Sequence, residues 1–247
     1  MITSLSNPKV KLAAALEQRK TRRETGLFVA EGVNVLASAK QQKWFPKTVF
    51  YEQSDHLVVW AKKGGAECLQ VSEAVLSKIS TKDNPQKIVG VFEQKWVTKV
   101  TDGTWVVLED VRDPGNLGTI IRTADAAGSS GIVLAGNCCD PYAREAVRAS
   151  MGSIFAVPLV KVATVADVVK TWRGAVVGTH LSGKEDFRQS YPANMLLVMG
   201  SEGPGMSDAA ANLCTKLVRI PMKGSAESLN LATATALMLY EIRRSVL

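Results

Sequence analysis

The sequence has few of the residues on which metal sites and disulfide frameworks depend. It contains two histidines in 247 residues, and its four cysteines show no C-x-x-C spacing (Cys68, Cys138, Cys139 and Cys214). Two histidines cannot build a histidine-rich metal site, and such cysteine usage is typical of a reducing compartment. We therefore expect a cytoplasmic protein without metal.

Long apolar runs are also missing. The longest, such as residues 195–199, are strand-sized and fall far short of the roughly 18 residues that a membrane span requires. Near the start, the apolar stretch 12–16 precedes the basic cluster 19–23, which reverses the order of a secretory signal. The sequence predicts no membrane anchor. An organelle transit peptide is a less favoured reading of this basic start.

Positive charge is in modest excess and is unevenly distributed along the chain. Thirty Lys and Arg against 23 Asp and Glu give a net charge of +7. Residues 1–102 carry 16 basic and 10 acidic side chains, whereas residues 103–247 carry 14 and 13. The first part is therefore the better candidate for binding a polyanion. A solvated surface explains the same counts equally well.

The first part of the chain alternates short β-rich runs with helical stretches, a pattern that predicts a small layered α/β domain. Its expected helices are 8–24, 33–42, 55–63 and 72–79, and its expected strands are 28–29, 48–51, 67–71 and 88–92. A polar, basic stretch after residue 93 is typical of a connector. We expect domains at 1–95 and 104–247, joined by a linker at 96–103.

The second part contains near-continuous apolar runs separated by helical stretches, which predict a parallel sheet covered on both faces. The expected strands are 105–108, 131–134, 175–178, 195–199 and 217–220, and the expected helices are 117–127, 143–150, 163–172, 207–213 and 228–245. Ligands bind at the carboxyl ends of strands in such sheets. The loops that follow the strands are therefore the places to look for chemistry.

Several common fingerprints are absent. No G-x-G-x-x-G occurs, so a dinucleotide-binding loop is not indicated, and no G-x-S-x-G elbow supports a serine hydrolase. Residues 178–184 have the G-x-x-x-x-G-K spacing of a phosphate loop, but Glu185 stands where the magnesium-binding Ser or Thr belongs. Nucleotide hydrolysis is therefore disfavoured.

The first unusual loop spans residues 109–122. It contains a turn at 113–115, and Asn116 is a candidate amino-terminal cap for the helix that follows. Gly118 and Arg122 are four residues apart and share a helix face, which can bring the guanidinium to the mouth of the sheet. The alternative is a capped helix in which Arg122 pairs with Asp125.

The second unusual loop, residues 200–207, has three glycines in six positions, which lets backbone approach a ligand. Ser207 is a candidate cap for the next helix. A turn alone does not need a glutamate at the position of Glu202, at the end of a strand and between glycines. An ordinary strand-to-helix turn is the alternative.

The third unusual loop begins at Ile220 and leads into the last helix, whose start is rich in small residues. Ser228 and Asn230 place polar groups at its amino end, where unpaired N–H groups can also bind a ligand. A core or dimer-forming helix explains the same alanines.

Taken in order, the three loops resemble motifs 1, 2 and 3 of the SpoU (TrmH) family of RNA ribose 2′-O-methyltransferases, within the SPOUT superfamily. The residues that carry this resemblance are Asn116-x-Gly118-x-x-x-Arg122, Gly200-Ser201-Glu202-Gly203-x-Gly205 and Ile220-Pro221-Met222-x-Gly224-x-x-x-Ser228-Leu229-Asn230. It covers residues from about 104 to 247. The opening of the chain, with residues 7–11 and 26–32, is similar to the L30e-like RNA-binding domain of many members.

The resemblance implies an α/β fold, in which a trefoil-knotted parallel-sheet catalytic domain follows the small L30e-like domain. It also implies S-adenosyl-L-methionine (AdoMet) as cofactor, held in the knot, and a homodimer with the last helix near its interface. A cofactor held in this way accounts for the missing glycine-rich fingerprint.

The resemblance further implies the roles of individual residues. Arg122 is expected to contact and activate the ribose and its phosphate, with the motif site completed by Asn116, Glu202, Ser228 and Asn230. The cofactor is expected near Thr179, Gly200, Ile220, Met222 and Leu229. In the amino-terminal domain the candidate RNA contacts are Arg19, Lys20, Arg22 and Arg23.

The expected function is therefore AdoMet-dependent methylation of a ribose 2′-hydroxyl in RNA. The separate amino-terminal domain favours ribosomal RNA over transfer RNA as substrate. A non-catalytic RNA-binding protein of the same fold is the remaining alternative, and the presence of Arg122, Glu202 and Asn230 argues against it.

Overall fold

The computed structural model describes residues 1–80 and 86–246. Two compact units make up the chain: Met1–Lys95 with Asp140–Ala156, and Trp96–Cys139 with Val157–Leu247. This division differs from the expected one in two respects. Residues 96–103 belong to the second unit, where the Val97 amide donates to the Leu159 carbonyl at 2.9 Å, and residues 140–156 group with the first unit.

The first unit alternates helices and strands as its sequence predicts. In chain order these are α1 (Pro8–Ala15), α2 (Arg19–Thr25), β1 (Leu27–Glu31), α3 (Val33–Gln41), β2 (Thr48–Tyr51), α4 (His56–Lys63), β3 (Glu67–Gln70), α5 (Glu73–Ile79) and β4 (Ile88–Glu93). The prediction of a single helix over 8–24 is wrong, because the helix is interrupted at residues 16–18, between α1 and α2. The Leu16 and Glu17 carbonyls at the break accept hydrogen bonds from the Arg22 guanidinium, at 2.8 and 2.7 Å.

The four strands of this unit form one mixed sheet in the order β1-β4-β2-β3. Strand β4 runs antiparallel to β1 and β2, whereas β2 and β3 are parallel. Helices α1 and α5 pack on it through a buried apolar cluster that includes Val10, Leu16, Phe50, Val75 and Ile79. Such burial supplies the main stabilisation of a domain of this size.

Residues 140–156 contain a short helix, α7 (Arg144–Ala149), and a single 3-10 turn. Two arginines, Arg22 buried and Arg144 mostly buried, connect this segment to the rest of the first unit. The Nε of Arg22 donates to Asp140 at 2.8 Å, and Arg144 donates to the carbonyls of Ala13, at 3.0 Å, and Ile79. Buried cations require such partners. The interpretation of Arg22 as a surface RNA contact is therefore corrected: only 4% of it is exposed.

The second unit contains a seven-stranded sheet in which every pairing is parallel, as predicted. Its elements are β5 (Thr104–Glu109), α6 (Pro114–Ala126), β6 (Gly131–Ala135), β7 (Leu159–Val162), α8 (Val165–Val169), β8 (Ala175–Thr179), β9 (Glu185–Asp186), β10 (Met195–Met199), α9 (Asp208–Ala211), β11 (Lys216–Arg219) and α10 (Leu231–Arg243). Strands β7 and β9 were not anticipated. They form the two edges of the sheet, where the apolar pattern is weakest.

The strand order in this sheet is β7-β6-β5-β10-β8-β11-β9. Strands β5 and β10 are neighbours, and their buried faces share one apolar cluster with Trp105, Val133 and Val176. Parallel neighbours end at the same edge. The loops that follow β5, β10, β8 and β11 therefore emerge side by side. No helix among the described residues is long and apolar enough to cross a membrane.

The buried Arg22–Asp140 pair generates a test of stability. Arg22→Ala is expected to lower the free energy of unfolding by about 3–5 kcal/mol, because it leaves a carboxylate in a site that is only 14% exposed without its cation. Arg23→Ala is the matched control, since Arg23 is exposed, and should change stability by less than about 0.5 kcal/mol. Thermal or urea unfolding measures both, and equal effects would contradict the structural role of Arg22.

Candidate active site

A chain of hydrogen bonds connects the three unusual loops at the carboxyl edge of the parallel sheet. The Asn230 Nδ2 donates to Asn116 Oδ1 at 2.9 Å, and the Asn116 Nδ2 donates to Glu202 Oε1 at 3.0 Å. The other carboxylate oxygen of Glu202 accepts from the backbone N–H of Arg112 at 3.1 Å. Residues far apart in sequence thus form one connected network, which we call the Asn116 relay.

Helix caps explain why the two asparagines are available for this network. Asp113, not Asn116, caps α6: its Oδ1 accepts from the Asn116 backbone N–H at 2.6 Å, and Pro114 takes the first helical position. The expectation that Asn116 is the cap is wrong, and its side chain is free for the relay. Asn230 caps α10 with its Oδ1, which accepts from the amides of Ala232 and Thr233, and so leaves Nδ2 for Asn116.

Glu202 is held in its ionised form by the relay. Partial burial alone would raise the pKa of this carboxyl, but hydrogen bonds from Asn116 and from the Arg112 amide outweigh it and bring the pKa below its usual value. Both oxygens accept hydrogen bonds in the folded protein. Glu202 is therefore a fixed acceptor that joins two loops.

The loop after β10 folds back on itself. Ser201 and Gly205 exchange backbone hydrogen bonds at 3.0 and 3.1 Å. A Cβ on Gly200 would lie 2.0 Å from the Met206 backbone nitrogen, so the close approach at this glycine is made by the loop's own backbone. At the end of the loop, Ser207 caps α9 as predicted and also donates through its N–H and Oγ to Glu109, at 2.8 and 2.6 Å.

A cavity of about 370 Å³ opens beside this loop. Eight of the residues expected at the site line it: Thr179, Gly200, Glu202, Ile220, Met222, Ser228, Leu229 and Asn230. The structure thus brings together all five expected cofactor residues and three of the five expected catalytic ones. Asn116 is not part of the cavity wall and reaches it only through its hydrogen bonds to Glu202 and Asn230.

The cavity wall combines apolar side chains with a few polar groups. The Thr179 hydroxyl is buried and has no hydrogen-bond partner among the described residues. A buried hydroxyl without a partner is costly, and a ligand would satisfy it. His180 and Leu181, which the sequence analysis did not anticipate, also line the cavity, and His180 Nδ1 lies 2.6 Å from Ser182 Oγ. Their position directly after β8 was the signal that could have identified them.

Arg122 lies on α6 outside the cavity wall. It is exposed, and across the part of the chain that the structure describes it makes neither a hydrogen bond nor an ion pair. The alternative in which Arg122 pairs with Asp125 is therefore not observed. Its guanidinium is left available for an external partner.

In the first unit, Arg19, Lys20 and Arg23 are exposed, and Lys20 lies 3.9 Å from Glu24. No group of three or more His, Cys, Asp or Glu side chains that could hold a metal ion occurs within residues 1–80 and 86–246.

The fold and the cavity define an α/β protein with a cavity of small-ligand size at the carboxyl edge of a parallel sheet. A family profile described as the SpoU rRNA Methylase family matches residues 103–240, and a profile for an MRM3-like substrate binding domain matches residues 7–90. The chain belongs to the SpoU rRNA methylase family.

Individual relatives agree with this assignment. The chain is 34% identical, over 94% of its length and 87% of the relative's, to the 23S rRNA (uridine(2479)-2′-O)-methyltransferase of Streptomyces viridochromogenes. It is 30% identical, over 98% of each, to the 23S rRNA (guanosine(2553)-2′-O)-methyltransferase RlmP of Bacillus subtilis. An AdoMet-bound rRNA methyltransferase from Sinorhizobium meliloti superposes with a TM-score of 0.93 at 44% identity, over 100% of this chain and 98% of that one. The expected fold class is confirmed.

The depressed pKa of Glu202 generates a prediction about pH. A carboxyl whose folded pKa lies below its unfolded value stabilises the fold above the unfolded pKa, about 4.3, and loses that contribution as pH falls through the folded value. Glu202→Gln should therefore unfold at a lower temperature than the wild type near neutral pH, and the difference should shrink in acid. Unfolding midpoints measured across pH test this.

The matched control for this measurement is Glu227→Gln, an exposed glutamate of the neighbouring loop. It should leave the midpoint unchanged at every pH. A Glu202→Gln difference that stays constant from neutral pH into acid would contradict the assigned hydrogen bonds.

Proposed function

We propose that the chain is an AdoMet-dependent methyltransferase that methylates a ribose 2′-hydroxyl in ribosomal RNA. The observation that carries this proposal is the Asn116 relay, which joins the three family motifs beside one cavity. The relatives from Streptomyces viridochromogenes and Bacillus subtilis are named as 23S rRNA 2′-O-methyltransferases, which supports the same substrate class here.

The cavity fits AdoMet. Ile220, Met222 and Leu229 offer apolar surface to an adenine ring, and the buried Thr179 hydroxyl offers a polar partner that it lacks within the protein. The volume of about 370 Å³ is in the range of small-molecule sites. When bound there, AdoMet supplies a methyl group on a positively charged sulfur, which is the electrophile of the reaction.

The residues of the chain contribute placement and charge. Transfer requires that the ribose oxygen approach the methyl carbon in line with the departing sulfur, and positioning of this kind can lower a barrier by several kcal/mol. The relay contributes by fixing the loops that line the cavity. Glu202 acts as a positioning residue, because its two oxygens already accept hydrogen bonds and its pKa is low.

Arg122 is the residue proposed to meet the substrate. Its guanidinium is exposed and unpaired among the described residues, and it remains charged at any physiological pH. A cation that always stays protonated cannot take the hydroxyl proton, but it can stabilise the oxygen as negative charge develops. The proton then passes to a substrate phosphate held by the same arginine.

The first unit is proposed to hold the RNA. Its match to a substrate-binding domain and the excess of basic residues in this part of the chain support that role. The exposed Arg19, Lys20 and Arg23 are the proposed contacts, without the buried Arg22.

A cytoplasmic homodimer is also proposed. On α10, Thr233, Leu237 and Tyr240 follow one another at helical spacing on the exposed side, and Leu237 and Tyr240 are 41% and 51% exposed. This exposed stripe, whose apolar members are Leu237 and Tyr240, lies on another side of the helix from buried residues such as Ala232 and Thr235. It supports the last helix as an interface between two copies.

The function is tested by incubating the protein with methyl-labelled AdoMet and deproteinised ribosomal RNA or transfer RNA, followed by nuclease digestion. The proposal predicts label in 2′-O-methylnucleosides of the ribosomal RNA. Label in a base, or only in transfer RNA, would contradict it. Binding of ribosomal RNA without any transfer would favour a non-catalytic RNA-binding protein.

Arg122→Ala is expected to reduce methyl transfer by about 10²–10³-fold, the usual cost of removing one group that stabilises a developing oxyanion. AdoMet affinity should persist, because Arg122 does not line the cavity. Calorimetric titration and a transfer assay measure the two effects, with the exposed Arg173→Ala as the matched control. If Arg122→Ala abolishes AdoMet binding, the role assigned to Arg122 is wrong.

Replacing Arg19, Lys20 and Arg23 together by alanine should weaken RNA binding and flatten its salt dependence. Each lost phosphate contact is expected to reduce the log–log slope by roughly 0.7 to 0.9, because fewer counterions are released. Binding measured at several salt concentrations tests this, with Lys87→Ala, whose lysine pairs with Glu52 at 3.5 Å, as the control. An unchanged slope would show that these three residues are only a solvated surface.

A further inference from the structure

A partly exposed aromatic pair in the first unit does not line the cavity described above. Phe45 and Trp60 stack with ring centroids 5.1 Å apart and planes inclined by 25°. Phe45 is 42% exposed, although a phenylalanine usually gains by being buried. The neighbouring Val59 is 50% exposed and extends the apolar surface. We call Phe45 and Trp60 the aromatic platform.

Two backbone features set the position of Phe45 in this platform. Lys43 has φ of 52°, a left-handed conformation that non-glycine residues rarely adopt, and the following Trp44 is buried and donates to the Glu93 carbonyl at 3.2 Å. Phe45 lies so close to Gly64 that a Cβ there would be 1.9 Å from the ring. A strained turn and a glycine thus keep Phe45 exposed. Binding to such a preorganised surface costs little conformational entropy.

Several lysines lie close to the platform residues in sequence. Lys43, Lys62 and Lys63 are exposed and form no ion pair among the described residues, whereas Lys47 pairs with Glu93 at 2.9 Å. No acidic residue occurs in either of the two sequence segments concerned, residues 39–47 and 56–65. An aromatic surface flanked by unpaired lysines matches a ligand that combines flat rings with negative charge.

We propose that the aromatic platform binds single-stranded RNA, with a base stacked on the aromatic pair and the phosphates held by Lys43, Lys62 and Lys63. Single-stranded RNA fits because its unpaired bases expose their faces, whereas the bases of a duplex stack on one another. This inference rests on the proposed function only because the platform would contact the RNA substrate. It does not depend on methyl transfer.

The test measures the affinity of the full-length protein for a fluorescent oligouridylate of roughly 12 nucleotides and for deproteinised ribosomal RNA. Phe45→Ala should weaken binding by about 5- to 150-fold, the range of one lost base–aromatic stack. Phe45→Leu should also weaken it, since the ring is lost and the apolar volume is kept. Phe45→Trp should bind RNA about as tightly as the wild type, because it keeps an aromatic ring at this position.

Lysine variants test the charged part of the proposal. Lys43→Ala and Lys63→Ala should each reduce the log–log salt slope by roughly 0.7. Leu5→Ala is the matched control for an exposed apolar residue of the same unit, at 48% exposure, and Lys87→Ala is the control for an ion-paired lysine. Both controls should bind RNA as the wild type does.

Wild-type affinity in Phe45→Ala and Phe45→Leu would overturn the platform while leaving the proposed function intact. If Phe45→Ala does not fold, Phe45→Leu decides. Equal dependence on Phe45 for duplex and single-stranded RNA would also overturn it, since stacking requires an open base. If the wild type binds no RNA at all, the proposed function fails together with the platform.

Discussion

The candidate site depends on one side chain that both donates and accepts. Asn116 gives its amide hydrogen to Glu202 and takes one from Asn230, so a single residue joins the loops after β5, β10 and β11. An apolar residue at this position would remove one of the hydrogen bonds that Glu202 accepts and the acceptor of the Asn230 amide, which would disconnect the loops. The shape of the cavity wall follows from this constraint.

The rest of the second unit supports that arrangement. The parallel order of β5, β10, β8 and β11 delivers four loops to one edge, and Asp113 and Asn230 start the two helices that follow. Asn230 uses its oxygen for the helix and its nitrogen for the relay. Local capping and long-range contact are thus made by the same side chain, which explains why an asparagine suits this position better than a serine.

Much of this could be predicted from the sequence. Near-continuous apolar runs predicted five strands of the second unit, and the resemblance of three loops to the family motifs pointed to most of the residues that line the cavity. Strand β9 is not predictable from the sequence, because two exposed residues at the edge of a sheet carry no periodic signal. Asp113 and Asn116 both suit the cap of α6 by residue type, and Pro114 at the first helical position marks Asp113 as the cap.

Other features required three-dimensional information. The basic cluster 19–23 looks uniform in sequence, yet helix α2 directs Arg22 into the core and leaves Arg23 exposed. Residues 140–156 follow β6 in sequence but pack in the first unit through Arg22 and Arg144, contacts that join positions more than 100 residues apart. No local pattern encodes such pairs.

The most direct test of the relay is a double-mutant cycle on AdoMet affinity, measured by calorimetry for Asn116→Ala, Asn230→Ala and the double variant. The relay predicts that the two residues act as a unit, so the double variant should lose little more than either single one. The expected coupling is about 0.5–3 kcal/mol. Additive losses would show that Asn116 and Asn230 act independently, and would contradict the claim that their hydrogen bond shapes the site.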